Sequence, residues 1–457
     1  MKEDAIEIVR ELRRRGHQAL LVGGCVRDIL LEREPADYDV ATDATPDQVM
    51  SIFPKTYAVG AQFGVVLVAS KAANEATNDA ASKAAGEHSG KEDCTEVATF
   101  RSDGRYSDSR HPDEVRFTDS AEEDVRRRDF TINGLLLDPL KENQILDYVG
   151  GRADLAAGII RTIGPAGQRF QEDKLRMLRA VRFAARFEYR IEPEAMEAIQ
   201  NLAGETHRVS GERVRDELIK MLTEGHAGRA FELLEESRLL HEILPEVEKM
   251  KGVEQPPQFH PEGDVWTHTL LMLDALPAKC SPTLAMGALL HDVGKPPTFR
   301  VAPDRIRFDG HVEVGSKMAE AICRRLRFSN DDTAQILSLV GNHMRFAEVK
   351  KMRESTLKRF LRLPRFEEQL ELHRMDCRAS HGDLSLYEFA REKLAVTPAE
   401  QIRPRPLITG DDLISEGYLP GPRFKEILAA CEDAQLEGTV STRDEAMEFV
   451  RRNFPSS

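Results

Sequence analysis

Two carboxylates near the N-terminus have a spacing that suits metal ions. Asp37 and Asp39 stand two residues apart, and in a β-strand alternate side chains point to the same face. Neighbouring carboxylates repel each other unless a cation lies between them, and hard oxygen ligands suit Mg²⁺. Two such ions, roughly 3.5–4 Å apart, can activate an attacking hydroxyl and stabilise a leaving pyrophosphate. Glu96, on another strand-like run, is a candidate third carboxylate, and polar strand residues facing solvent are the alternative explanation of all three.

A pair of glycines just upstream suits a phosphate group. The apolar run 19–22 predicts a buried strand that ends at Gly23 and Gly24, where backbone amides can approach a ligand closely. From Arg27 onward the sequence predicts a helix, whose N-terminus favours an anion. A tight turn between strand and helix is the simpler alternative. Followed by Asp37 and Asp39, however, the glycines indicate a site for a triphosphate and two metal ions.

A second set of residues, in the other half of the chain, has a different chemistry. It comprises His268, His291, Asp292, His311, His343 and Asp376. The adjacent His291 and Asp292 follow the apolar run 284–290, so a helix end would bury both. Imidazoles and carboxylates together suit a transition metal or a mixed Mn, Mg or Ni site, which activates water for phosphoester hydrolysis. Since the chain has 13 histidines, a chance or purely structural cluster is the alternative.

The elements that must position these residues change along the chain. Up to residue 140, short helices alternate with strands, and Thr45 and Pro46 predict a capped helix start. Strand-like runs at 64–69 and 96–101 flank a stretch rich in Ala, Asn, Lys and Glu, 71–93, which we interpret as an insertion. Beyond residue 140 helical periodicity dominates, so the sequence predicts an α+β fold with an all-α second part.

The composition excludes several classes of protein. Hydrophobic residues make up 41% and charged residues 31% of the 457 positions, as in soluble globular proteins. No apolar run is long enough for a membrane span, and the charged N-terminus does not resemble a signal peptide, so we expect a cytoplasmic protein. The six cysteines form no C-x-x-C pair, which indicates free thiols.

The net charge of −14 argues against broad, charge-driven binding of nucleic acid. A local basic face remains compatible with it. The candidate residues for such a face are Arg126, Arg127, Arg128, Arg176, Arg179, Arg182 and Arg186. Surface charges paired with nearby acids are the alternative.

Five segments in this order resemble the class II tRNA nucleotidyltransferase and bacterial poly(A) polymerase family. They are 23–28, 37–39, 127–133, 147–155 and 169–180, and the resemblance covers roughly residues 17–225. The resemblance implies that Asp37 and Asp39 hold Mg²⁺. It further implies that the nucleotide's phosphates and sugar contact Gly23, Gly24, Arg27, Arg128, Asp129, Asn133 and Arg179.

The choice of base is expected to rest on Asp173 and Arg176. They lie three apart in a predicted long helix, which makes them neighbours on one face; a surface ion pair is the alternative. The resemblance implies that they contact the Watson–Crick edge of the incoming base, where a carboxylate accepts from an exocyclic amine and Arg donates. In this family a loop such as 101–112 helps the site to switch from C to A, and its full length here favours addition of both nucleotides.

The second set of residues resembles the HD phosphohydrolase superfamily. Its order H…HD…H…H…D is met by the six residues given above, and Lys295 is a candidate phosphate contact. The resemblance implies a divalent metal (Mn, Ni or Mg) and activity as a phosphodiesterase or phosphatase on RNA ends. An HD domain that has kept only a structural role is the alternative.

The full expectation is a small mixed-sheet nucleotidyltransferase head, 1–140, followed by an all-α neck and body, 141–255, an HD domain, 256–395, and a helical tail, 396–457. The resemblance implies template-independent addition of C, C and A to the 3′ end of tRNA from CTP and ATP. An A-adding enzyme and a bacterial poly(A) polymerase are close alternatives, and an HD hydrolase with an RNA-binding head is a more distant one. Nothing in the sequence indicates a protein partner or a membrane.

Overall fold

The computed structural model describes residues 1–60, 63–69, 94–104 and 115–455. The insertion 71–93 and most of the loop 101–112 therefore lie outside the described residues. The described chain forms two compact units. The N-terminal unit comprises 1–221 and 229–243, and the C-terminal unit comprises 222–228 and 244–457.

A mixed β-sheet of seven strands, counted over the described residues, forms the core of the head. Its strands are β1 (Ala19–Val22), β2 (Asp39–Thr42), β3 (Thr56–Gly60), β4 (Val65–Ala69), β5 (Cys94–Thr99), β8 (Leu135–Asp138) and β9 (Gln144–Asp147). Their order is β3-β4-β5-β2-β1-β8-β9, and only the β2–β5 pair is parallel. A separate antiparallel pair consists of β6 (Arg101–Asp103) and β7 (Val115–Phe117). The predicted mixed-sheet head is thus confirmed, with its sheet continuing past residue 140 to Asp147.

The register of the sheet brings the predicted carboxylates and the glycine turn together. The parallel pairing matches Val40 with Val97, so Asp39 and Glu96, one residue earlier on each strand, are neighbours. On the other side of β2, Asp39 pairs with Val22, the last residue of β1. The glycine turn that follows β1 is therefore adjacent to the carboxylates, as the order of the motifs predicted.

Helices make up most of the remaining N-terminal unit. They are α1 (Lys2–Arg14), α2 (Gly24–Leu30), α3 (Pro46–Ile52), α4 (Ala121–Arg126), α5 (Gly151–Ala157), α6 (Ala166–Glu172), α7 (Leu175–Phe187), α8 (Pro193–Leu202), α9 (Gly211–Thr223), α10 (Ala227–Glu236) and α11 (Leu239–Ile243). Short 3₁₀ helices cover Thr131–Asn133 and Ala203–Arg208, and β10 (Ile159–Ile160) pairs with β11 (Arg190–Ile191). The predicted cap of α3 is confirmed, because Thr45 and Gln48 form a reciprocal capping box.

One helix prediction is wrong. The long helix expected around Asp173 and Arg176 is broken, since α6 ends at Glu172 and α7 begins at Leu175. Asp173 has an extended backbone (φ −143°, ψ 109°), and its Oδ1 accepts a hydrogen bond from the Leu175 amide at 3.0 Å. A side chain that satisfies a backbone amide in this way competes with helix continuation. Asp173 and Arg176 consequently do not share one helix face as neighbours.

Up to residue 455, the C-terminal unit is helical apart from one small hairpin, β12 (Arg300–Val301) and β13 (Ile306–Arg307). Its helices are α12 (Pro245–Glu248), α13 (Val265–Asp274), α14 (Pro282–Leu290), α15 (Lys295–Thr298), α16 (His311–Arg325), α17 (Asn330–Asn342), α18 (Glu354–Leu361), α19 (Phe366–Ala379), α20 (Ser385–Val396), α21 (Ala399–Ile402), α22 (Gly410–Ser415), α23 (Pro422–Leu436) and α24 (Arg443–Asn453). A 3₁₀ helix, His343–Lys351, follows α17.

Helix α14 lies at the centre of this unit, because every residue from Thr283 to Leu290 is buried. A helix that is apolar on all sides must be surrounded by others. Its Leu284 and Ala288 pack with Met272 of α13, Leu339 of α17 and Leu372 of α19. Among the described residues, no helix is long and apolar enough to cross a membrane.

Gly151, at the start of α5, marks a close approach between two of the head's motifs. A Cβ at this position would lie 2.2 Å from the carbonyl oxygen of Thr131 and 3.0 Å from Leu135 Cδ2. Only glycine lets α5 pack against the turn Thr131–Asn133, which carries one of the predicted nucleotide contacts.

We therefore expect Gly151→Ala to lower the free energy of unfolding by about 1–3 kcal/mol, the usual cost of overpacking. Gly167→Ala is the matched control, since a Cβ there meets nothing within 4 Å. In a helix this control should be neutral or stabilising by about 0.5–1 kcal/mol. Urea unfolding followed by circular dichroism measures both changes, and equal stability of the two variants would contradict the close approach.

Candidate active sites

Three predicted carboxylates come together near the start of β2, on the central strands of the head sheet. Asp37 lies just before β2 and is exposed, Asp39 is the first residue of β2, and Glu96 lies beside it on β5. Burial and the charges of Glu96 and Asp37 raise the pKa of Asp39 to about 7. Burial and Asp37 also raise the pKa of Glu96, while Arg128 lowers the pKa of both groups. A divalent cation would relieve this crowding of negative charge, so the donor set fits a metal site.

The two glycines face guanidinium groups. Gly23 has a positive φ of 76°, and α2 begins directly after it, three residues before the predicted helix start at Arg27. A Cβ on Gly23 would lie 3.5 Å from Arg128 Nη1, and one on Gly24 would lie 3.6 Å from Arg27 Nη2. The absence of side chains therefore leaves room beside two cations, which suits an anionic ligand.

Four predicted nucleotide contacts form one hydrogen-bonded chain. Arg27, which is buried, donates to Asn133 Oδ1 at 2.7 Å, and Asn133 donates to Asp129 Oδ1 at 3.2 Å. Arg179 Nε donates to Asp129 Oδ2 at 2.8 Å. Burial opposes the charge of Asp129, but Arg179 and Asn133 hold its pKa at about 2. These side chains therefore have fixed positions and charges.

The sequence analysis missed the residue that orients Arg128. Asp124 of α4 is 1% exposed and accepts from Arg127 at 2.7 Å and from Arg128 at 3.0 Å. The signal was present in the sequence, because residues three and four apart on a helix are neighbours. Asp124 thus fixes Arg128 beside Gly23, where its charge lowers the pKa of Asp39 and of Glu96.

The residues expected to read the base are both held by neighbours. Arg213 of α9, which the sequence analysis did not identify, donates to the two oxygens of Asp173 at 2.7 and 3.2 Å. The buried Arg176 donates to Glu172 Oε2 at 2.6 Å and to the Arg127 carbonyl at 3.3 Å. No local pattern could have predicted the Asp173–Arg213 pair, since its members lie on separate elements.

The six residues of the second set form two adjacent clusters in the C-terminal unit. The ligand atoms of His268, His291 and Asp376 lie within 4.8 Å of one another, and so do those of Asp292, His311 and His343. The adjacent His291 and Asp292 thus contribute one residue to each cluster. The structure brings together all six predicted residues.

The four histidines of these clusters are oriented in the same way. Their Nδ1 atoms lie against oxygen acceptors: His268 at 2.6 Å from Glu262 Oε1, His291 at 2.8 Å from the Ala288 carbonyl, His311 at 2.9 Å from the Phe308 carbonyl and His343 at 2.7 Å from the Val340 carbonyl. In each ring Nδ1 is placed to donate to its oxygen acceptor, which leaves Nε2 directed toward the cluster, as in metal sites. The buried Nε2 atoms of His268 and His291 lie 3.3 Å from Asp376 Oδ1 and 3.2 Å from Asp292 Oδ2, without a well-aligned hydrogen bond. A divalent metal would satisfy them, so these residues also fit a metal.

Burial and neighbouring charges shift the pKa values of several residues in the clusters. Burial opposes ionisation of Asp292, but His291 and Lys295 lower its pKa well below the ordinary value; Lys295 Nζ lies 2.6 Å from Asp292 Oδ2. Burial lowers the pKa of His343 to about 4. Although burial also disfavours a charged His268, Asp376 and Glu262 raise its pKa to about 9.

A cavity of about 470 Å³ adjoins the clusters. Its lining includes Lys295, His311, His343 and Asp376, together with Phe308 and Arg305 next to the hairpin β12–β13. A phosphate ester of moderate size can therefore reach the cluster atoms, and the cations would favour its negative charge.

Models of known domains match three parts of the chain. The poly A polymerase head domain matches residues 19–161, the probable RNA and SrmB-binding site of polymerase A matches 188–251, and the HD domain matches 265–377. Nucleotidyltransferase and HD domains generally use divalent metals, in agreement with the donor sets described above.

Curated relatives match the first part of the chain. The CCA-adding enzyme of Geobacillus stearothermophilus is 41% identical over 237 residues, which cover 52% of this chain and 53% of that protein. The CCA-adding enzyme of Bacillus licheniformis is 36% identical over 281 residues, covering 60% and 65%. The chain thus spans less than two thirds of the length of these relatives.

A solved structure extends the likeness to the whole fold. The Bacillus stearothermophilus CCA-adding enzyme in complex with CTP has a TM-score of 0.71 and 28% identity, covering 98% of both chains. The Thermotoga maritima CCA-adding enzyme complexed with tRNA, at 17% identity and a TM-score of 0.54, shares the fold. The chain thus carries the poly A polymerase head domain, the probable RNA-binding site of polymerase A and an HD domain, and it is similar in sequence and fold to CCA-adding enzymes.

Proposed function

We propose that this protein adds C, C and A to the 3′ end of tRNA from CTP and ATP, without a nucleic-acid template and with release of pyrophosphate. The observation that carries the proposal is the convergence of Asp37, Asp39 and Glu96 beside the glycine turn and Arg128. The similarity to CCA-adding enzymes, one of them in complex with CTP, supports it. A tRNA substrate is also consistent with a cytoplasmic location.

In the proposed mechanism Asp37, Asp39 and Glu96 hold Mg²⁺. When bound, these ions supply activation of the terminal hydroxyl and neutralisation of the leaving pyrophosphate. Arg27 and Arg128 bind the triphosphate, and the glycine turn allows the phosphates to approach the backbone. The chain Asn133–Asp129–Arg179 holds Arg27 at one end and orients the sugar and phosphates.

The base is chosen by Asp173 and Arg176 in this proposal. Asp173 would accept from the exocyclic amine that cytosine and adenine share, and Arg176 would donate to the ring nitrogen or carbonyl. Uracil and guanine would not offer these two side chains the matching contacts, which is costly. Arg213 and Glu172 keep the two side chains in position before a nucleotide binds.

Addition of A alone and poly(A) synthesis use the same chemistry in the head. The names of the curated relatives support full CCA addition over both. An HD hydrolase whose head only binds RNA is not favoured, because the head combines crowded carboxylates with oriented arginines, which RNA binding alone does not require.

We also propose that residues 256–395 form a metal-dependent phosphohydrolase that acts on RNA ends with Mn, Ni or Mg. The uniform orientation of four histidine Nε2 atoms toward two carboxylates favours this second activity. Asp292 and Asp376 complete the ligand sets, and Lys295 would contact the phosphate. In the same proposal the head (1–140) performs transfer, residues 141–255 select the base and bind tRNA, and 396–457 form a helical tail.

Three tRNAs test the main proposal: one that ends before CCA, one after the first C and one after CC. Each is incubated with the protein and Mg²⁺, with CTP and ATP supplied separately and together. Ordered growth to CCA followed by arrest is the expected result. Addition of A only to the CC end would identify an A-adding enzyme, and a long run of A on any RNA would identify a poly(A) polymerase.

We expect Asp39→Ala to lower nucleotide transfer by about 100-fold or more, the scale on which loss of one group that stabilises transition-state charge acts. The variant should keep its melting temperature or exceed it, because it removes a carboxylate that Glu96 and Asp37 repel. Transfer to the tRNA ending in CC and thermal unfolding measure the two effects. Asp292→Ala is the control in the other centre and should retain transfer; normal turnover by Asp39→Ala would refute the assignment.

Glu262→Ala tests the second centre through metal binding. Because Glu262 accepts from His268 Nδ1 at 2.6 Å and fixes the orientation of that ring, its loss should weaken Mn²⁺ binding by about 10- to 100-fold. Calorimetric titration in an Asp39→Ala background reduces the contribution of the head. Glu254→Ala, an exposed change nearby, is the matched control. An unchanged Mn²⁺ affinity of the Glu262 variant would show that this contact does not support a metal ligand.

A further inference from the structure

The turn between α6 and α7 contains a buried lysine that the mechanism above does not use. Lys174 is only 2% exposed, whereas lysines are almost never fully buried unless they are paired. Its Nζ lies 3.2 Å from Glu205 Oε2 and 3.5 Å from the Gln171 carbonyl. A buried ammonium group that loses its partner is strongly destabilised, so the contact with Glu205 restricts where the turn can lie.

Glu205 belongs to a different element from the turn. It lies on the 3₁₀ helix Ala203–Arg208, is half-buried, and makes a second contact, at 3.5 Å, with the exposed Arg208. Both contacts are made by the same oxygen of Glu205, Oε2, with Lys174 on one element and Arg208 on another turn of the same 3₁₀ helix. The two contacts can be removed separately.

Two successive residues of the turn are thus tied to two successive elements of the chain. Lys174 is tied to the 3₁₀ helix, and Asp173 is tied to Arg213 on α9. Asp173 has the extended backbone at which the helix breaks, and Lys174 is helical (φ −61°, ψ −25°). Any shift of Lys174 would rotate the neighbouring peptide and move the Asp173 carboxylate.

We propose that the Lys174–Glu205 ion pair is a positioning device that fixes the base-reading turn and thereby sets the discrimination of C and A against U and G. This inference rests on the proposed function, and it concerns selectivity rather than the transfer step. Discrimination at this carboxylate needs a rigid frame. Arg213 already donates to both Asp173 oxygens, and a turn that can relax would let water reach their remaining acceptor positions when the wrong base is bound. Lys174 and Glu205 are positioning residues, since neither is expected to touch the nucleotide.

A merely structural ion pair would behave differently. Its loss would lower stability and reduce turnover with all four nucleotides in proportion, and the ratios between nucleotides would stay the same. Loss of a positioning pair changes the ratios, because it affects only the step at which the base edge is read. Selectivity is therefore the readout that separates the two roles.

The test compares Lys174→Met, Glu205→Gln and the control Arg208→Gln in the full chain. For each protein kcat and KM are measured with CTP and UTP on the tRNA ending before CCA, and with ATP and GTP on the tRNA ending in CC. We expect both Lys174→Met and Glu205→Gln to lower the CTP/UTP and ATP/GTP ratios of kcat/KM by about tenfold or more, since a misplacement of about 1 Å can cost about 100-fold. Arg208→Gln should leave the ratios unchanged.

Unchanged ratios in Glu205→Gln, with or without a lower melting temperature, would overturn the proposal. This variant decides the matter even if Lys174→Met does not fold, because Glu205 is half-buried and its replacement is nearly isosteric. The double variant should lose no more selectivity than either single variant, as expected for two members of one pair. Failure of the unaltered protein to add C and A would instead refute the proposed function, which the same assay shows separately.

Discussion

Repulsion between the carboxylates on the central strands of the head sheet is the constraint on which the rest of this unit depends. The parallel pairing of β2 with β5 places Asp39 beside Glu96, and Asp37 adds a third negative charge. Burial, and after it the charges of Glu96 and Asp37, raise the pKa of Asp39 to about 7. The apolar core of the sheet stabilises the fold despite this repulsion. The strand residues next to the carboxylates, such as Val40 and Val97, are fully buried.

The positive charge around these carboxylates comes from arginines that other side chains hold in place. Asp124 holds Arg128, and the Asn133–Asp129–Arg179 chain fixes Arg27. The arginines of the basic face suggested by the sequence are therefore largely paired with nearby acids. This was the alternative interpretation of these residues in the sequence analysis. Besides these pairs, Arg126 contacts Glu122, Arg176 contacts Glu172 and Arg182 contacts Glu217. Such a surface offers a few cations in fixed places rather than a general excess of positive charge, in keeping with a net charge of −14.

The sequence predicted those parts of the fold that depend on local patterns. Strand β1, the capped start of α3 and the mixed-sheet head are confirmed because apolar runs and caps act over a few residues. The order of the motifs was enough to identify both groups of metal-binding candidates. The sequence analysis failed where distant residues decide the outcome: the break at Asp173, the Asp173–Arg213 pair and the role of Glu262 as acceptor for His268. Each of these depends on which element packs nearby, and composition and periodicity do not contain that information.

The two proposed centres solve the problem of holding a divalent ion in opposite ways. In the head, exposed or partly buried carboxylates crowd together, and their unfavourable charge is what a cation relieves. In the C-terminal unit, buried imidazoles are oriented through Nδ1, and the unsatisfied Nε2 atoms of His268 and His291 are what a cation relieves. An anionic site of hard oxygens suits an ion that stays partly hydrated and contacts a polyphosphate, whereas imidazole donors suit a transition metal that activates water. The two proposed centres therefore differ in the kind of divalent ion that their donor sets favour.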